Sequence, residues 1–180
     1  MATDSRLIAF YSGKESDHCG RYLQDIQNWT NDRLETIHDY IQWLFPLPEV
    51  SQFNAAAPLL THEVIVEFRS RPDLQQNLRV SFLRMMEFYG LEVHVEPITV
   101  TRLPGLTGNS AGWLSPGNHN HLRITRILRC LNLLGLKTEA RAFFECLSKI
   151  WEDERSKRAP AVSSKTFSYR RGAASDTGIE

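Results

Sequence analysis

Residues 38–46 read His38-Asp39-Tyr40-Ile41-Gln42-Trp43-Leu44-Phe45-Pro46, and this nonapeptide decides how the chain is read. With Leu34 and Ile37 before it, Ile41, Leu44 and Phe45 recur three or four positions apart. That spacing lines apolar side chains along one face of a helix. Pro46 and Pro48 forbid continuation, because proline lacks the amide the helical ladder needs. The same two turns hold an imidazole, an amide and an indole, more function than burial alone requires. The segment is both the key to a helical fold and the first candidate for a site.

On the N-terminal side, the capping box Asp32-Arg33-Leu34-Glu35 opens this helix. Earlier still, Arg6 to Tyr11 form a short apolar segment ending at Gly13. Asp17 is then expected to cap a helix to about Trp29, with Tyr22, Leu23, Ile26 and Trp29 inward. On the C-terminal side, 47–58 reads as an irregular, well-packed connection. Thr61 caps a short helix to Phe68. Pro72 suits the first turn of a longer one that ends at Gly90 and buries Leu74, Leu78, Phe82, Met85, Phe88 and Tyr89. Glu92-Val93-His94-Val95-Glu96 alternates like a strand, but without an evident partner the stretch 91–117 reads as an ordered or partly mobile loop. Asn118 begins a helix that ends at Gly135, and Thr138 caps another with Ala140, Phe143, Phe144, Leu147, Ile150 and Trp151 inward. So short a connection predicts antiparallel packing of the pair. The expected fold is all-α: a single-domain orthogonal or antiparallel helical bundle with long ordered loops over 5–154, followed by a basic, disordered tail over 155–180.

Composition bounds the function. At 180 residues the chain builds one core comfortably. No apolar run approaches the ~18 residues that cross a bilayer, and no secretory leader is expected at the N-terminus. Cys19, Cys130 and Cys146 are an odd number without paired spacing, which fits reduced thiols in a cytoplasmic or nuclear compartment. The chain is formally neutral, but six basic side chains fall in 155–180, leaving a slightly acidic body. That body gives no reason to expect nucleic acid.

The run Leu34-Glu35-Thr36-Ile37-His38-Asp39-Tyr40-Ile41-Gln42-Trp43-Leu44-Phe45-Pro46 resembles the opioid growth factor receptor conserved region. The likeness continues at Glu49, Ser51, Asn54 and Pro58-Leu59-Leu60-Thr61, then at Arg79-Val80-Ser81-Phe82, Met85-Met86-Glu87-Phe88-Tyr89-Gly90 and Asn118-His119-Asn120-His121-Leu122-Arg123-Ile124-Thr125-Arg126. The resemblance implies a receptor for an enkephalin-type peptide, associated with the nucleus and its membrane, that restrains proliferation. The family's longer animal members carry C-terminal repeats that this sequence lacks, and a shared fold does not by itself carry the function.

Each candidate has two readings. His38 and Gln42, four apart on one helical face, either orient a polar ligand or satisfy backbone where 47–58 crosses them. Trp43 lies off the main stripe, so either its helix is covered on both sides or it forms, with Tyr40, an open apolar surface for a ligand side chain. Asn54 belongs to the same neighbourhood. His119, Arg123 and Arg126 form a positive strip at a helix start, to meet an anion or to pair with acids such as Glu63 or Glu67. His119 and His121 diverge on a helix, no ligand set completes them, and no metal is expected. Gly105, Gly108 and Gly112 lack phosphate-loop spacing, Ser51 and Ser110 lack a nucleophile elbow, and no cofactor is expected. The sequence therefore points to a non-enzymatic module holding a peptide or protein segment in an interhelical groove. The alternative is a small enzyme or metabolite-binding protein with a pocket of His38, Gln42, Asn54 and Arg123.

Overall fold

A computed structural model describes residues 6–104, 112–155 and 162–175. Expectations for Gly105, Gly108, Ser110 and the ends of the tail lie outside these residues. The described chain is mostly helical, with one two-stranded antiparallel sheet. It divides into two compact units, residues 1–84 and 85–180, and each is described by itself.

The first unit holds α1 (Arg6–Tyr11), α2 (Leu23–Gln27), α3 (Asn31–Thr36), α4 (Ile41–Leu44), α5 (His62–Ser70) and the first part of α6 (Pro72–Phe88). Asp17 does not cap a helix. Its carboxylate closes the tight loop 17–21, where Gly20 takes a φ of +76° that only glycine adopts freely. α2 begins later, with the Asp25 carboxylate accepting the Tyr22 amide at 2.8 Å.

The expected long helix from Asp32 is two short ones. Thr30, not Asp32, caps α3, and the chain leaves helical geometry at Ile37 (φ −94°, ψ 134°) before α4 begins. The Thr36 hydroxyl bonds back to the Asp32 carbonyl, a contact that competes with the ladder at that turn. Tyr40 Oη donates to the Leu34 carbonyl at 3.1 Å, and Asn54 Nδ2 takes the Asp39 carbonyl at 2.7 Å. These tertiary bonds satisfy backbone that a continuous helix would have used. The apolar stripe survives, since Leu34, Ile41, Leu44 and Phe45 are all buried. Around it Phe10, Tyr11, Trp43 and Phe68 meet edge to face. The Tyr11 hydroxyl donates to the Leu44 carbonyl.

The second unit holds the end of α6, β1 (Leu91–Val95), β2 (Ile98–Arg102), α7 (Asn120–Leu133), α8 (Lys137–Arg155) and α9 (Ser164–Ser175). The strand suspected at 92–96 does find a partner, which corrects the all-α expectation. Ile98-Thr99-Val100-Thr101 is β-branched throughout, and a two-residue Glu96-Pro97 turn folds it back with Val93 opposite Val100. β2 packs against α8.

α7 ends as the sequence indicates. Gly135 has a φ of +97°, the Leu136 amide reaches the Leu131 carbonyl at 2.8 Å, and the Gly135 amide reaches Asn132 O, the paired bonds of a Schellman stop. Thr138 lies inside α8, which begins at Lys137.

The described part of the expected tail is ordered. α9 forms over Ser164–Ser175, with Arg170 and Ala173 buried. Asn132 Nδ2 donates to the Ala173 and Ala174 carbonyls, each at 3.0 Å, and Phe167 stacks on Trp151 with ring centroids 4.2 Å apart. Sparse apolar content hid this helix, since its contacts are chiefly polar side chain to backbone and ring to ring.

Candidate functional site

In the first unit the signature segment is organised around Asp39. Its carboxylate accepts Arg21 Nη1 at 2.8 Å, lies 3.4 Å from His18 Nε2 and takes the Cys19 thiol at 3.5 Å. Arg21 spans to Asp17, with Nε donating at 2.6 Å to a fully buried carboxylate. Partial burial alone would push the Asp39 carboxyl up. Hydrogen bonding and charge from Arg21, helped by the hydrogen bond from Cys19, instead hold it below the ordinary carboxylate range.

Trp43 lies behind this cluster, and its Nε1–H donates to His18 Nδ1 at 3.0 Å. The two rings are parallel to within 6°, with centroids 6.0 Å apart. An indole nitrogen only donates, so Nδ1 is the acceptor and the neutral imidazole carries its proton on Nε2, facing Asp39. Trp, His and Asp thus form a directed chain.

The placement of the candidates is clear within each unit. His38 and Gln42 do not share a helical face, because His38 falls in the break between α3 and α4. His38 is exposed and Gln42 is buried, its Oε1 without a hydrogen-bond partner. Tyr40 and Trp43 are fully buried and give their rings to Trp29, Phe10 and His18. Asn54 is buried and ties the loop 46–60 to Asp39, while its Oδ1 accepts the Ala56 amide at 3.1 Å. In the second unit His119 is exposed at the start of α7. Arg123 is buried, with Nη1 on Asn120 Oδ1 at 3.2 Å, and Arg126 is half-buried. Glu67, suggested as a partner for that strip, pairs with Arg71 of its own unit at 3.1 Å.

The sequence reading missed Asp17, His18, Cys19 and Arg21. The signal was Asp17-His18-Cys19-Gly20-Arg21 itself, an Asp before a Gly turn, which reads as a closed loop as readily as a helix cap. Asp17, His18 and Cys19 also bring potential metal-ligand atoms within 4.8 Å of one another. An ion there would have to take Asp17 from Arg21, repel that guanidinium and break the Trp43–His18 bond that leaves Nε2 protonated. The Cys19 thiol is pushed up, first by partial desolvation and then by Asp39 and Asp17, against Arg21, which disfavours the thiolate a nucleophile needs.

The opioid growth factor receptor conserved region matches residues 2–154, and the chain belongs to that family. It is 40% identical to the human opioid growth factor receptor over 127 residues, covering 66% of this chain and 18% of that protein. It is 38% identical over 119 residues to opioid growth factor receptor-like protein 1 of Xenopus tropicalis, covering 64% of this chain and 23% of the relative. The mouse receptor-like protein 1 is 36% identical over 122 residues, covering 66% of this chain and 26% of its own length. The chain thus spans about a fifth to a quarter of the relatives it matches. No solved structure matches it. No helix among the described residues is long and apolar enough to cross a membrane.

Proposed function

We propose that this chain is a non-enzymatic binding module of the opioid growth factor receptor type, and that it takes up a short peptide on the face built by 38–39 and the loop 46–60. Support comes first from Phe53, an aromatic that is 75% exposed on the residue next to Asn54. Val50 and Leu59, at 66% and 43%, lie on the same loop. An apolar surface on a loop pinned at 2.7 Å to the Asp39 carbonyl, and closed by the Leu60 amide on Leu47 O, is largely ordered before a ligand arrives. Little conformational entropy is then lost on binding. His38, exposed beside Asp39, supplies a polar contact. Tyr40, Trp43, Gln42 and Asn54 act from beneath, holding the segment rather than touching the ligand. His119, Arg123 and Arg126 have no part in this reading.

The second reading, a metabolite-binding protein or small enzyme, has the His18–Asp39 pair in its favour, a half-exposed imidazole and carboxylate 3.4 Å apart. Calorimetry separates the two. Titrated with an enkephalin-type peptide, the folded chain is expected to bind, and Phe53→Ala to weaken binding about tenfold, roughly 1.4 kcal/mol. An unchanged affinity in Phe53→Ala, with the melting temperature preserved, would remove the loop from the site. Saturable uptake of a small metabolite, abolished by His18→Ala, would favour the second reading.

A further inference from the structure

Among the described residues of the second unit, one buried cation has no anion paired with it. Arg170 of α9 is 0% exposed, and its Nε and Nη1 have no hydrogen-bond partner. Among the described residues its side chain bonds through Nη2, which donates to His121 Nδ1 at 2.7 Å. His121 brings no counter-charge. An arginine only donates, so Nδ1 is the acceptor, and Nε2–H is left to donate to the Ser115 carbonyl at 3.0 Å. The imidazole is therefore neutral. Trp113 forms one wall, with its ring centroid 5.9 Å from the guanidinium carbon and its Nε1 fixed on the Tyr89 carbonyl at 3.0 Å. No carboxylate pairs with Arg170 among the described residues. Burial pushes the guanidinium down to about 10, with Tyr89 acting the other way.

Donor counting shows what fits. A guanidinium has five N–H groups arranged as two forks that share Nη2. His121 uses a single N–H of Nη2, so one fork stays complete whichever hydrogen it takes. A complete fork beside an aromatic wall matches two oxygens of a carboxylate or phosphate in bidentate fashion. The neighbouring start of α7, a 14-residue helix, adds its positive end. Arg170 also lies beyond residues 2–154, the span of the family match, so the group is supplied by this chain's own C-terminal helix.

We infer that Arg170, His121 and Trp113 form a buried site for a small free oxoanion of the carboxylate or phosphate type. Entry is by local opening of α9, which buries few apolar side chains of its own and so opens more readily than α7 or α8. This inference does not rest on the peptide-binding reading, since every group it uses belongs to the second unit.

The test is thermal unfolding and calorimetry of the full chain with inorganic phosphate and with acetate, at ionic strength matched by chloride. The expected result is saturable stabilisation by at least one of the two, absent with chloride. Arg170→Met should abolish that response while melting no lower than the wild type without anion, since it removes an unpaired buried charge. Arg170→Lys, which keeps the charge but not the fork, should weaken the response at least tenfold. Should Arg170→Met fail to fold, the Arg170 Nε–H resonance of the wild-type chain is expected to shift on phosphate or acetate addition. A wild type indifferent to both anions, or a folded Arg170→Met that responds as the wild type does, overturns the proposal. A wild-type chain that keeps this response but does not bind the peptide would overturn only the other reading.

Discussion

Asp39 receives Arg21, His18 and Cys19 at its carboxylate and Asn54 at its carbonyl, so one residue fixes the loop 17–21 and the loop 46–60 at once. Its carboxyl is held below the ordinary range, so the unfolded chain binds the proton more readily. Stability from this contact is therefore complete above the unfolded carboxylate pKa, about 4, and is lost as pH falls through that range toward the folded value. Asp39→Asn should cost about 1 kcal/mol at neutral pH, allowing for the solvent that reaches the side chain. The difference between wild type and variant should shrink toward pH 3, as read from urea melts across pH. A gap that is constant with pH would mean that Asp39 acts through shape and not charge.

At the scale of elements, the sequence was legible wherever one local cause decided the outcome. Thr61 caps α5, Pro72 opens α6, and Gly135 stops α7, because capping and positive φ are decided within a few residues. Leu74, Leu78, Phe82, Met85, Phe88 and Tyr89 are all buried, as their spacing indicates. It failed where distant partners won. Asp39 and Asn54 are 15 residues apart, and their bond helps break a helix whose own periodicity was intact. β2 was overlooked because a strand is confirmed only by its partner, and α9 because Asn132, 41 residues away, holds its end. Asn132→Ala should thus speed hydrogen exchange of α9 amides by an order of magnitude or more while α7 and α8 keep their protection. Uniform loss across all three helices would show that α9 is integral to the core and not a separately opening element.

At the scale of the molecule, the candidate site was only partly legible. The motif was found, but which of its side chains face solvent was not, because helical phase changes across the break at Ile37. Trp43 and Tyr40 belong to the core, and the aromatic most exposed among the described residues is Phe53, in a loop without periodicity. Cysteine chemistry follows the same division between inside and outside. Burial pushes the Cys146 thiol up to about 11 and the Cys130 thiol higher still, whereas Cys19 is exposed. A thiol reagent at neutral pH should modify one cysteine in the native chain and all three after unfolding. Rapid native modification of Cys130 would contradict the packing of α7.

The binding surface itself is tested most directly by titrating the isotope-labelled chain with an enkephalin-type peptide and following backbone amide resonances. The expected shifts are saturable and concentrate at His38, Asp39 and residues 46–60, with Phe53 among the largest. Saturable shifts confined to other residues, or no shifts at millimolar peptide, would contradict the assignment of this face as the site.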